Sequence, residues 1–475
     1  MAKLTGRAEE KEILLNALAS PASEMVAVLG RRRVGKTFLI KQVYTQLDFE
    51  FTGILNAPAS EQLENFTHKL VEYGANKKTI MQPAGWLQAF NLLKQLLKAK
   101  KTKRKKIIFI DELPWLDTPK ARFMEALGYF WNDYAANNNI VIVICGSAAS
   151  WMIRKVVHNK GGLHNRITKL IELKPFTLQE TEQFLKTNKI VLSRYEIAQL
   201  YMIMGGIPYY LNEIKKGASV AQNIDRICFQ KNGLLNNEFE KLFTSLFNNA
   251  ENHITIVKAL AGKWKGLTRK DIVDITKLTD GGNISKVLEE LEMSSFISTT
   301  HPFGKTKKDK IFRLADPYSL FYLHFIAAQK KAVKGVFLNI SKMAKWHSWC
   351  GYAFENICIA HLDKIINALG IAAIYTETAG YIQKGNSENQ GIQIDLLIDR
   401  ADRVINICEI KFYDAPFTIT KDYAAKLRMA IAKFRTASKT RKSLFLTMIT
   451  TYGLEKNIYS SELVQNEITL ENLFL

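Results

Sequence analysis

Cysteine is scarce in this 475-residue chain, and negative charge is outnumbered. The five cysteines, Cys145, Cys228, Cys350, Cys358 and Cys408, are scattered, odd in number and never spaced Cys-x-x-Cys. That excludes a disulfide framework and a structural zinc site of the usual spacing. Cys145 and Cys408 fall inside strand-like apolar runs, where buried free thiols are common, and a reducing, cytoplasmic compartment is expected. No stretch of about 20 apolar residues is present to span a bilayer, and early charges without a cleavage-like site argue against a signal peptide. No membrane insertion is therefore expected. Acidic residues number 45 against 66 Lys and Arg, a net charge of +21. Such a balance favours a polyanionic partner, most simply nucleic acid, through phosphate neutralisation and counterion release. An acidic membrane surface is the competing partner. The 47% hydrophobic and 23% charged content is that of an ordinary globular chain, long enough for about three domains.

Two signatures of phosphate chemistry stand at opposite ends. The first is Gly30-Arg31-Arg32-Arg33-Val34-Gly35-Lys36-Thr37. Met25–Leu29 is a short apolar run ending at Gly30, while Phe38, Leu39 and Ile40 with Val43 and Tyr44 open an amphipathic helix. Strand, loop and helix in that order let backbone N–H groups of the loop, from Gly30 through Arg33, Val34 and Gly35 to Phe38, wrap the phosphates at a helix N-terminus. Lys36 would reach the β- and γ-phosphates of ATP, and the Thr37 hydroxyl would hold Mg2+. Ile107–Ile110 then reads as a buried strand delivering Asp111 and Glu112 at its carboxyl end. Asp111 would bind magnesium, mostly through water, and Glu112 would activate the attacking water. Ile140–Cys145 is another buried strand, ending at Gly146 and Ser147; Ser147 reads as a γ-phosphate sensor or as a simple turn serine.

With these residues in place, the chain from Leu4 to about Leu211 resembles the archaeal and bacterial ATPase family related to the AAA+ and STAND nucleotide switches. The matching features are Gly6-Arg7 followed by Glu9, Glu10 and Glu12, the Arg-Arg-Val-Gly-Lys-Thr loop, the Ile-Asp-Glu strand end and Gly205-Gly206-Ile207-Pro208. The resemblance implies that Gly6 and Arg7 lie near the adenine and that Gly206 and Pro208 link nucleotide state to a helical lid. Arg166 resembles an arginine finger, which needs a homo-oligomer to give it a phosphate; a solvated arginine is the other reading.

Changes of pattern divide the chain into a P-loop ATPase core over 1–175, a helical lid over 176–250, a winged helix over 251–333 and a nuclease-like domain over 334–475. The basic run from Lys98 to Lys106 reads as a solvated loop or as a DNA-phosphate contact. Thr177 and Glu180 have the spacing of a capping box. In the third segment a helix starting near Leu267, a second over Gly281–Glu292, and strands at Phe296–Ser298 and Lys310–Leu314 flank a basic hairpin with Lys305, Lys307 and Lys308. Asn283, Ser285 and Lys286 at the start of the second helix could enter a major groove, or the module could serve protein contacts alone.

The second signature lies in the last segment. A helix over His347–Leu369 containing Glu355, strands at Ile371–Thr376, Gly391–Asp399 and Val404–Phe412, a helix over Asp422–Phe434 and a strand over Lys442–Ile449 give an αβββαβ order. This order, with Asp395 and the Glu409-Ile410-Lys411 run, resembles the PD-(D/E)xK, restriction-endonuclease-like fold. Glu409 and Lys411 share one strand face by the period of two. Asp395 and Glu409 are a pair of carboxylates for one or two magnesium ions, and Lys411 would position the water or neutralise developing charge. The resemblance adds Glu355 as a further acidic ligand. Ile394 stands where the motif name has proline. Lys421, Lys426 and Arg428 line a phosphate path or the solvated side of their helix.

The expected architecture is α/β: a P-loop NTPase core with a helical lid, then a winged helix and an αβββαβ domain. The expected function is ATP binding and hydrolysis by a protein acting on DNA, as an ATP-regulated, magnesium-dependent endonuclease or processing factor. A non-cleaving STAND-like switch binding DNA or a protein partner is the alternative, and a membrane-surface ATPase is a third class.

Overall fold

The computed structural model describes residues 4–78, 80–158, 165–247, 249–304, 310–329, 335–383 and 391–475. The chain divides into two compact units, Met1–Pro175 and Phe176–Leu475.

The first unit is built on five parallel strands: β1 (Glu24–Leu29), β2 (Phe49–Thr52), β3 (Lys106–Asp111), β4 (Ile140–Gly146) and β5 (Lys169–Glu172). Every residue of β1 and β4 is buried, because helices cover both faces of a parallel sheet and the strands must then be apolar throughout. On one face the helices Ala59–Glu72, Trp86–Ala99 and Phe123–Asp133 supply an aromatic core. There Phe66 lies 5.0 Å from both Phe49 and Phe51, and Trp86 meets Phe123 edge-on at 4.7 Å. The strand order β2-β3-β4-β1-β5 sets β4 between the loop-bearing β1 and the acid-bearing β3. All three carboxyl ends therefore open on one sheet edge, where ligands of such sheets bind.

The basic run is divided: Lys98, Lys101 and Lys103 are exposed, while others are held by the fold. Arg104 grips both oxygens of Asp48 at 2.7 and 3.0 Å, and Lys100 donates to the Asp48 carbonyl. Lys105 is buried, donating to the carbonyls of Ala17, Ser20 and Ala22 where the helix Ala8–Ala19 ends. Lys106 begins β3.

The second unit opens with helices Leu178–Thr187 and Arg194–Met204. Thr177 and Glu180 form the expected capping box. Gly205, at φ 63°, ends the second helix. A Cβ on Gly206 would stand 1.9 Å from the Phe176 carbonyl oxygen, so only glycine fits. Pro208 begins a one-turn helix, Pro208–Leu211, a position where its missing N–H costs nothing.

Further on, helices Ala250–Ala261, Arg269–Thr276 and Gly282–Met293 pack with β6 (Leu267–Thr268), β7 (Ile297–Thr300) and β8 (Ile311–Leu314), an antiparallel sheet ordered β6-β8-β7. Lys305, Lys307 and Lys308 of the expected hairpin lie outside the described residues.

The helix expected over His347–Leu369 is two helices, Ala344–Ala360 and Leu362–Ala368, broken at His361. Then come β9 (Thr376–Gln383), β10 (Ile392–Arg400), β11 (Val404–Lys411), the helix Lys421–Ser438, β12 (Ser443–Thr450) and β13 (Asn466–Thr469). The first of these strands starts where the expected one ends: Ile371 is buried at a turn, so its apolar run marks packing rather than a strand. The sheet order is β13-β12-β11-β10-β9, antiparallel from β9 to β11 and parallel from β11 to β13.

Candidate active sites

At the first site, β1 leaves the sheet at Gly30. A Cβ there would stand 2.3 Å from the Leu173 carbonyl oxygen. Arg33 (φ 74°) and Gly35 (φ 93°) take left-handed conformations, which curl a loop so that its N–H groups converge on an anion. Lys36 begins the helix Lys36–Val43 and is buried, its ammonium donating to the carbonyls of Gly30 at 2.7 Å and Arg31 at 3.1 Å. The Thr37 hydroxyl donates to Asp111 Oδ2 at 2.6 Å. These are two hard oxygen donors side by side, and they fit magnesium.

Glu112 sits just past β3 in the left-handed region (φ 48°), where a non-glycine residue is strained. Its carboxylate accepts from both the backbone N–H and the hydroxyl of Ser147, at 3.0 and 2.8 Å. Arg7, with Gly6 before it also at positive φ, turns into the helix Ala8–Ala19. The Arg7 guanidinium is buried and donates to the Lys174 carbonyl at 2.7 Å and the Val34 carbonyl at 3.5 Å, bracing the loop. Phe38 is partly exposed on the helix. Arg166 is exposed ahead of β5, and Pro208 belongs to the second unit.

At the second site the sheet register does the positioning. Leu396 pairs with Cys408, which sets Asp395 level with Glu409 on the neighbouring strand. Between Ile394 and Leu397 the pairing of β10 with β9 slips, an irregularity that re-aims a side chain next to a site. Lys411 and Glu409, two apart on β11, form an ion pair at 2.7 Å. The Tyr423 hydroxyl donates to the same Glu409 oxygen at 2.5 Å. Glu355, on the helix Ala344–Ala360, pairs with Arg313 of β8 at 2.8 Å, and the guanidinium also lies 5.0 Å over the Tyr352 ring.

Burial, then the carboxylates of Glu355 and Glu409, push the Asp395 carboxyl well above its ordinary range. Burial raises Glu355 too, against the pull of Arg313. Burial alone would lower the Lys411 ammonium, but Glu409, Tyr423 and Asp395 carry it upward. The centre is thus short of positive charge. Its fit to a metal is partial: among the described residues no three His, Cys, Asp or Glu side chains are gathered closely enough to hold an ion. Glu355 is paired with Arg313 and one Glu409 oxygen is taken by Lys411 and Tyr423, so Asp395 and the other Glu409 oxygen remain as donors.

Comparison with known proteins bears on the first site. Residues 4–214 match the family described as an ATPase domain predominantly from Archaea. This segment is an archaeal-type ATPase domain. The match begins ahead of Gly6 and includes the loop, both acids, Ser147 and the Gly-Gly-Ile-Pro turn of the ATPase domain, and ATP binding and hydrolysis come with it. Over 417 residues the chain is 24% identical to the uncharacterized protein MJECL04 of Methanocaldococcus jannaschii, covering 86% of this chain and 87% of that one. Among solved structures it is similar to the Walker-type ATPase PABY2304 of Pyrococcus abyssi, at 18% identity and a TM-score of 0.49, over 67% of this chain and 96% of that one. The Aeropyrum pernix ORC2 protein is also similar, at 16% identity and a TM-score of 0.43, over 71% of this chain and 94% of that one.

Sequence reasoning missed the Ser147 to Glu112 contact in the ATPase domain, and Arg313 and Tyr423 in the second unit. Arg313 precedes Glu355 by 42 residues and carries no local motif. Tyr423 reaches Glu409 from the helix Lys421–Ser438, 14 residues on, and carries none either.

Proposed function

We propose that the chain is an ATP-regulated, magnesium-dependent DNA endonuclease or DNA-processing factor. Its ATPase domain is followed by a winged helix over 251–333 and a PD-(D/E)xK-type centre over 334–475. One observation carries the reading: the antiparallel register of β10 with β11 sets Asp395 level with Glu409, with Lys411 on the same face of β11. Asp395 and Glu409 would hold the divalent ion, which when bound polarises a phosphate and lowers the pKa of water. Lys411 neutralises charge on the phosphate, and the Tyr423 hydroxyl orients the Glu409 carboxylate toward the site. In the ATPase domain Thr37 and Asp111 would hold magnesium, Lys36 would contact the phosphates and Glu112 would take the proton of the attacking water. Arg166 would complete that site only from a second copy. The net charge of +21 supports a polyanionic partner.

The second reading, a non-cleaving STAND-like switch, draws on one observation of its own. Glu355 and Glu409 are both paired with cations, an arrangement that serves structure or binding as well as catalysis. Cleavage of supercoiled and branched DNA with magnesium and ATP separates the two. The wild type is expected to cut, and Asp395→Ala and Glu409→Ala to lose cutting while retaining ATP turnover. Wild-type turnover with no cutting of any substrate would favour the switch.

A further inference from the structure

Beside the carboxylate centre the second unit opens a cleft of about 720 Å³, whose wall includes Glu355 and Lys411. The remaining wall carries aromatic rings and one lysine, with Asp414 and neutral polar side chains among them. Trp264, Tyr195 and Tyr413 supply ring surface, and Lys265 adds an exposed ammonium. Tyr413 is 52% exposed, with its ring 5.2 Å from Phe417. Tyr195 belongs to a run of stacked rings, 4.9 Å from Phe412 at an interplanar angle of 10° and 5.7 Å from Tyr452 at 27°. The outer ring, Tyr452, is itself 49% exposed.

We propose that this cleft holds unpaired nucleotides of a DNA strand, so that the substrate is DNA with a single-stranded segment, such as an overhang, flap or branch, rather than continuous duplex. The proposal rests on the reading that the C-terminal centre acts on DNA. Three observations carry it. The cleft has the volume of a small-molecule site, room for a nucleotide or two but not for a length of double helix. Its walls pair rings with lysines, the combination that grips single strands: every base has a face to stack, and the cation tracks the backbone. Its position brings a phosphate held there next to Lys411 and Glu355, at the centre already described. Glu355 and Asp414 are the acidic members of the wall; Glu355 is paired with Arg313 and Lys411 with Glu409, which leaves Lys265 as the cation of the wall outside these pairs.

The test is binding by the full chain, free of nucleotide and in chelator so that nothing is cut. Fluorescence anisotropy would compare a labelled single strand, the matching duplex and a duplex with an overhang. The wild type is expected to bind the single strand and the overhang at least about tenfold more tightly than the duplex. Tyr413→Ala and Trp264→Ala are each expected to weaken single-strand binding on the order of tenfold, the loss of one stacked base, with duplex affinity unchanged. Tyr413→Phe should retain the wild-type preference. Trp264 packs on Tyr352 and His324, so a melting curve accompanies that variant, and half-exposed Tyr413 carries the test if Trp264→Ala unfolds. Equal wild-type affinity for single strand and duplex, or an intact preference in Tyr413→Ala, would overturn the proposal. A wild type that prefers single strands and never cuts would sink the nuclease reading and leave the cleft's role standing; one that cuts continuous duplex without that preference would do the reverse.

Discussion

Glu112 shows how the ATPase domain fixes a single side chain. Its backbone is held at positive φ and its carboxylate is pinned by Ser147, leaving little freedom to leave the sheet edge. Glu112→Gln is expected to retain ATP affinity and to lower turnover about 100- to 10,000-fold, the usual worth of a positioned base; steady-state hydrolysis beside a nucleotide-binding titration measures it. Lys36→Ala is expected to weaken nucleotide binding and cut turnover by at least about 100-fold, because its buried ammonium lies inside the curl of the loop, on the Gly30 and Arg31 carbonyls. Lys36, Thr37, Asp111 and Glu112 were legible in the sequence because each follows an apolar strand at a fixed offset. Arg313 and Tyr423 were not, since each reaches its carboxylate only through tertiary packing, and no local spacing encodes that.

His361 and Lys105 decide element boundaries. The His361 Nδ1–H donates to the Ile357 carbonyl at 2.9 Å, while Nε2 accepts the Leu178 N–H at 3.0 Å, an arrangement open only to the neutral ring. Burial lowers its pKa from 6.5. A depressed folded-state value means that the unfolded chain binds the proton more readily, so the stability His361 contributes is present above pH 6.5 and lost as pH falls through the folded value. Denaturant unfolding across that window should show a steeper acid loss in the wild type than in His361→Gln. Lys105→Met should cost about 1 to 3 kcal/mol, because the carbonyls of Ala17, Ser20 and Ala22 lose their shared donor in a buried place; urea titration reads it. Periodicity located β1, β3 and β4 to within a residue because they are apolar on both faces. It ran the helix through His361, whose break depends on a partner 183 positions away. It passed over β13, four residues with polar members, which is a strand because β12 pairs with it.

At the scale of the whole molecule, the charge of +21 is the term that sequence alone states in full, while its distribution is a property of the fold. Part of the basic run is spent on Asp48 and on helix-end carbonyls, so fewer cations are available to DNA than a count suggests. No helix among the described residues is long and apolar enough to cross a membrane. If six or more phosphates are neutralised on binding, DNA affinity should fall about 1,000-fold or more between 50 and 200 mM salt, and a salt titration of anisotropy tests this. In the proposed function, nucleotide state at one site governs cutting at the other. Its most direct measurement is the rate of magnesium-dependent cleavage of branched DNA, with and without ATP, by wild type, Lys36→Ala and Asp395→Ala in parallel. Coupling of the two sites predicts ATP-dependent cutting by the wild type, loss of the ATP response in Lys36→Ala, and no cutting by Asp395→Ala under either condition. Cleavage at one rate regardless of ATP, in wild type and Lys36→Ala alike, would contradict it.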